Sequence, residues 1–228
     1  MKNHKRFSLS SQPGFSLIEM AIVLLIVALV AGGGLSLFSA QIEHQKYKDT
    51  EKLLHEAKDA LIGFAILNGR LPCPSTTTDP ANADYGLEDA ACTVNTNGVL
   101  PWKTLGIAEV DAWGVPRKTA AASWGGYLHY RADPAFVIAF NLATTTTASL
   151  NLRVQNSSGT ALTSTSQRPL AIIFSTGKNL TADGNNAIFR STNAIYESDV
   201  TSQNFDDMTI WLSAPILFHR MIQAGRLS

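Results

Sequence analysis

The chain has 228 residues, with Lys+Arg and Asp+Glu both at 18. That length suits one domain of ordinary size plus an anchoring segment, and the balanced total argues against a nucleic-acid binder or a binder of acidic substrates. The balance is uneven, however: residues 1–14 hold Lys2, Lys5 and Arg6 and no acid, which leaves the remaining 214 residues at a net charge of −3. A short basic head on a mildly acidic body is the asymmetry of an N-terminus kept in the cytoplasm.

Residues 15–38 read FSLIEMAIVLLIVALVAGGGLSLF, 24 positions with a single charge at Glu19. About 20 apolar residues at 1.5 Å rise cross a hydrocarbon core, so the run predicts a membrane-spanning helix. It is too long for the apolar region of a secretory signal peptide, and no small-x-small cleavage site follows it. A plain signal anchor fits the length but leaves Glu19 unexplained, because a carboxylate in an inserted helix is costly without a partner. The stretch Gly14-Phe15-Ser16-Leu17-Ile18-Glu19, preceded by the basic leader, resembles the processing site of type IV prepilins and of type II secretion pseudopilins. The resemblance implies cleavage between Gly14 and Phe15 by a prepilin peptidase, which also methylates the new amine of Phe15. Glu19 becomes the fifth mature residue, placed to meet the amine of a neighbouring subunit. A paired buried carboxylate costs far less than an isolated one, so Glu19 is the expected assembly residue.

Gly32-Gly33-Gly34 interrupts the run and predicts a weak point in the helix, since each glycine costs about 0.5–1 kcal/mol relative to alanine. Beyond it, apolar residues recur at Leu53, Leu54, Ala57, Leu61, Phe64 and Ala65, with Lys52, Glu56, Lys58 and Asp59 on the other face. One helix from about Phe15 to Asn68 is expected, with Gly69 and Pro72 as its stop. The resulting division is a leader (1–14), a membrane or filament-core helix (15–38), an amphipathic continuation (39–69) and an exported β-rich domain (70–228).

Residues 70–130 are dense in Pro and Gly and predict turns and short strands. Cys73 and Cys92 are the only cysteines and enclose a 20-residue loop. In an oxidising compartment they favour a disulfide over zinc, as no histidine lies within the loop; closing it would add about 3 kcal/mol. The sequences LPCP, GVLPWKTLG and Asp111-Ala112-Trp113-Gly114 resemble a set of prepilin-like proteins, with Trp102 and Trp113 read as core fillers or ligand-facing aromatics. Strands are expected at residues 126–131, 136–140, 150–154, 170–175 and 209–212. The tail 224–228 reads as loose or as a short helix end.

Catalytic patterns fail on context. Ser175-Thr176-Gly177-Lys178 fits S-x-x-K, but its companion motifs are missing and a strand running into a turn is the wrong setting. The five histidines have no metal-ligand spacing. Asp183, Asn185, Asp206 and Asp207 are the candidate calcium ligands, although they lack the regular spacing of a calcium loop and a turn accounts for Asp183 and Asn185 more simply. No other cofactor is expected. The resemblance implies an α+β fold, a long helix packed on a small, mainly antiparallel sheet. It implies a structural role as a minor pilin or pseudopilin, not an enzyme. The expected partners are the prepilin peptidase/methyltransferase, other pilin subunits and an inner-membrane assembly platform. The chain would sit in the inner membrane with its domain in the periplasm, then enter a pilus or pseudopilus. The rival reading is an anchored periplasmic binding module or enzyme with a pilin-like N-terminus.

Overall fold

The computed structural model describes residues 14–89, 97–141, 151–189 and 194–227, with residues 31–38 and Asn97 described by their backbone alone. The chain divides into two compact units between Gln45 and Lys46. Helix α1 (Leu17–Asn68) begins in the first and ends in the second, and runs unbroken through the three glycines. It stops where the sequence predicts. The Gly69 N–H still reaches the Ala65 carbonyl at 2.8 Å, but Gly69 itself turns to φ +70°, a left-handed conformation that glycine adopts without strain.

In the first unit the apolar side chains of α1 from Leu17 to Val30 face solvent. Among the described residues, no helix is long and apolar enough to cross a membrane. Residues 31–38 of the expected span are among those described by their backbone alone.

In the second unit the chain continues with β1 (Asn97–Val99), α2 (Trp102–Leu105), β2 (His129–Ala132), β3 (Arg153–Gln155), β4 (Pro169–Ser175), β5 (Ile195–Glu197), β6 (Met208–Ser213) and α3 (Ala214–Gln223). Four strands form an antiparallel sheet in the order β1-β2-β4-β6, while β3 and β5 make a separate parallel pair. The fold is α+β with a mostly antiparallel sheet.

Alternation along the strands sorts the core into two sides. On one side Ala171 and Ile173 of β4 and Leu212 of β6 share a cluster with Leu53, Leu54, Ala57, Leu61 and Ala65 of α1. The spacing of those helix residues is the predicted apolar stripe. On the other side Ile172, Phe174 and Trp211 meet Val154 and Tyr196 from the β3–β5 pair and Leu152 just before β3. β4 lies between these two sets, and all seven of its residues are buried, as its unbroken apolar run implies.

Several local expectations are corrected. Residues 136–140 are not a strand: the Asp133 carboxylate accepts the Ala135 N–H at 2.9 Å and starts a short 3-10 turn over Pro134–Phe136. Phe136, Val137 and Phe140 are buried while Ile138 is exposed, so the apolar run serves a turn and not a two-residue period. The strand expected over 126–131 begins only at His129, because a turn closes from the Tyr127 N–H to the Trp124 carbonyl. Of the strand expected over 150–154, residue 150 lies outside the described residues and β3 starts only at Arg153, ending at Gln155. Helix α3 was not expected; Pro215 in its first turn is compatible with a helix start, and Leu217 and Met221, four apart, are buried.

Candidate functional site

At the N-terminal end, Gly14, Phe15 and Ser16 precede the helix and are exposed, Phe15 at 81%. Ser16 is the residue before the first helical turn and Glu19 is its third helical position. The Glu19 N–H donates to Ser16 Oγ at 3.4 Å, and the Ser16 N–H donates to Glu19 Oε2 at 3.5 Å. This reciprocal pair is a capping box, which satisfies two backbone donors that a helix start leaves open. The Gly14–Phe15 peptide bond therefore lies outside the helix. The S-x-x-E spacing was legible in the sequence, and it adds a local role for Glu19 to the expected intersubunit one.

In the second unit, the motif residues act as framework. Asp111 Oδ1 accepts the N–H groups of Trp113 at 2.9 Å and Gly114 at 2.8 Å, and its Oδ2 accepts the Ser175 hydroxyl at 2.6 Å. Ser175 is the last residue of β4, so the S-x-x-K residues stand on a strand end and not on the helix that such a site uses. Burial pushes the Asp111 carboxyl up, and these hydrogen bonds oppose the shift. A side chain at Gly114 would meet the Gly126 carbonyl at 2.4 Å, so the motif needs glycine there for a close backbone approach. Trp113 packs edge-on against Tyr47, with ring centres 4.8 Å apart. Trp102 is buried with Tyr85, Trp124 and Tyr127, and the Arg117 guanidinium lies 4.1 Å over Trp124. These aromatics fill space among themselves. Cys73 is buried in the cluster that includes the apolar stripe of α1; Cys92 lies outside the described residues.

The structure gathers three of the four candidate calcium ligands. Asp183, Asp206 and Asp207 each offer a carboxylate oxygen, and these oxygens lie within 4.8 Å of one another. Backbone and amide donors hold the cluster. Asp183 N–H donates to Asp207 Oδ2 at 2.9 Å, Asp206 N–H to Asp183 Oδ2 at 3.0 Å, and Asn179 N–H to Asp206 Oδ2 at 2.9 Å. Asn186, missed in the sequence, donates to Asp207 Oδ2 at 2.9 Å. The fourth candidate, Asn185, turns to Glu197, whose Oε2 accepts both its backbone and its side-chain N–H. The remaining oxygens, Asp206 Oδ1 and Asp207 Oδ1, are buried with no hydrogen-bond partner. Burial, with the negative charges of Asp183 and Asp206, pushes the Asp207 carboxyl up to about 7, and burial beside Asp183 also raises Asp206. Crowded buried carboxylates of this kind are relieved by a proton or by a cation.

Residues 9–35 match the model of the prokaryotic N-terminal methylation motif. The chain carries the type IV pilin and pseudopilin signature. It covers residues 9–14 of the expected leader, the capping box and the apolar start of α1, and so includes Gly14, Phe15 and Glu19, the expected processing and assembly residues. Neither a curated protein nor a solved structure matches the chain. The signature supports a pilin-like or pseudopilin subunit anchored to the membrane, processed by a prepilin peptidase and assembled with other such subunits.

Proposed function

We propose that the chain is a minor pilin or pseudopilin of a type IV pilus or type II secretion-like filament. The methylation motif over residues 9–35 carries this reading. The leader 1–14 stays in the cytoplasm, residues 15–38 span the inner membrane, and the domain is exported to the periplasm. Prepilin peptidase cuts between Gly14 and Phe15 and the amine of Phe15 is methylated. An exposed scissile peptide ahead of a capped helix suits such cleavage, since a peptide bond inside a helix is not accessible to a protease. In the filament Glu19 exchanges its local hydrogen bond with Ser16 for the amine of a neighbouring subunit, which sets the register. Cys73 and Cys92 close the loop of the exported domain as a disulfide. Mass spectrometry of the chain from peptidase-competent cells tests the reading: a mature N-terminus at methylated Phe15 is expected, and an intact Met1 overturns it.

A second component concerns the carboxylate cluster, where the unpartnered Oδ1 atoms of Asp206 and Asp207 favour a divalent cation. We propose calcium, held by Asp183, Asp206 and Asp207, as a brace between the turn after β4 and the start of β6. Hard oxygen donors of this number suit calcium once backbone oxygens or water complete the shell. Millimolar calcium is expected to raise the unfolding midpoint of the wild-type chain and to leave that of a D206N/D207N variant unchanged. An equal midpoint in calcium and in chelator for the wild type removes the cation.

A further inference from the structure

Strand β6 is the last strand of its sheet, and among the described residues only β4 pairs with it. Its alternating side chains divide between the two cores: Met208 and Ile210 pack on the α1 side, Trp211 on the side of Tyr196. Yet residues 208–211 all line one cavity of about 560 Å³. A cavity touched by both faces of a strand lies along its edge. Its first wall is α1, through Glu51, Leu54, His55 and Lys58; its second is the turn after β5, through Ser198, Asp199 and Thr201. The result is a slot whose floor is an unpaired strand edge.

The floor determines what chemistry the slot recognises. An edge strand presents a row of backbone donors and acceptors, which another extended backbone satisfies best. Four residues of β6 span about 13 Å at about 3.3 Å each, enough to register a short segment. Successive side chains of an added strand would point to opposite walls. One set would meet Leu54, Met208, Ile210 and Ile216, which are apolar. The other would meet Thr209, Trp211 and Asp199. Asp199 is anchored as an anion: its Oδ2 accepts the N–H of Ser157 at 2.9 Å and also the Ser157 hydroxyl, and its Oδ1 accepts the Val200 N–H. A fixed carboxylate in a slot also lined by an indole is complementary to a cation.

We propose that this slot binds an extended segment of a partner protein as a fifth strand on β6, with apolar side chains toward α1 and Lys or Arg toward Asp199 and Trp211. The pairing requires neither cleavage of the leader nor a bound cation. Of the charged groups along the slot, Glu51 and Lys58 stand on the same helix and offset each other, and Asp207 is buried in the carboxylate cluster just before β6, so the exposed Asp199 sets the sign of the preference.

The test uses the full chain in detergent micelles and a blocked, dye-labelled hexapeptide alternating valine and arginine, followed by fluorescence anisotropy. Saturable binding is expected. N-methylation of alternate peptide amides is expected to weaken it at least tenfold, replacement of arginine by glutamate likewise, and Asp199→Asn several-fold. Hydrogen exchange at residues 208–211 is expected to slow on binding. Equal binding of the N-methylated peptide overturns strand pairing, and no binding at millimolar peptide overturns the site. Protection of residues 208–211 that rises with protein concentration alone assigns the slot to a second copy and overturns the partner.

Discussion

Arg70 and Glu88 join the end of α1 to the loop that carries Cys73, and the strength of that joint can be worked out. Arg70 makes a two-pronged contact, Nη1 to Glu88 Oε2 at 2.8 Å and Nη2 to Oε1 at 2.9 Å, and Nη1 also donates to the Leu71 carbonyl at 3.1 Å. The Cys73 N–H donates to the same Glu88 oxygen at 3.1 Å, and the guanidinium sits 5.3 Å from the centre of the Phe64 ring. Both side chains are largely buried, at 30% and 22% exposure. Charge-assisted hydrogen bonds of this kind contribute about 1.5–3 kcal/mol, well above an exposed ion pair. Replacing Arg70 by Met keeps much of the apolar stem and leaves the carboxylate without its partner. A loss of about 2–3 kcal/mol at pH 7 is expected, or about 4–12 °C in the unfolding midpoint for a chain of this size.

The pH dependence has a definite sign. Burial alone would raise the Glu88 carboxyl, but the Arg70 and Cys73 donors and the Arg70 charge outweigh it and hold the group below its ordinary value. A carboxyl whose folded pKa is lowered stabilises the fold above its unfolded pKa, and that contribution disappears as the pH falls through the folded value. The gap between wild type and Arg70→Met should therefore be full at pH 7 and narrow below about pH 4. Denaturant unfolding at both pH values, with Glu88→Gln and the double variant closing the cycle, measures it. A gap that is unchanged by pH, or additive losses in the double variant, refutes the coupling.

Other outcomes follow from the same geometry. Glu19→Ala should leave cleavage after Gly14 intact, since Ser16 still caps the helix, while filament assembly scored by microscopy falls sharply; normal filaments would exclude the pairing role. Cys73→Ser should remove the mobility difference between reduced and non-reduced chain on gels and cost about 3 kcal/mol, by the entropy of a 20-residue loop. Identical mobility of the wild type under both conditions would exclude the bond.

The sequence by itself determined whatever depends on neighbours along the chain. The processing motif is contiguous, the capping box spans four residues, and the stripe from Leu53 to Ala65 follows the helical period; Gly69 ends α1 at the expected place. β4 was legible because the continuous apolar run from Leu170 to Phe174 needs no alternation to declare itself. Residues 136–140 were misread because burial of Phe136, Val137 and Phe140 in a turn imitates a strand when the Asp133 cap is not considered. Only the tertiary structure decided what long loops bring together. Asp183 and the pair Asp206-Asp207 stand more than 20 residues apart, and each alone is an ordinary turn or loop acid. Gathered between the turn after β4 and the start of β6, they lose water and acquire one another's charge, which makes them the proposed cation site. The slot on β6 has the same origin: any strand has two edges, and which one stays open depends on the order of pairing across the sheet, a choice made by contacts distant in sequence.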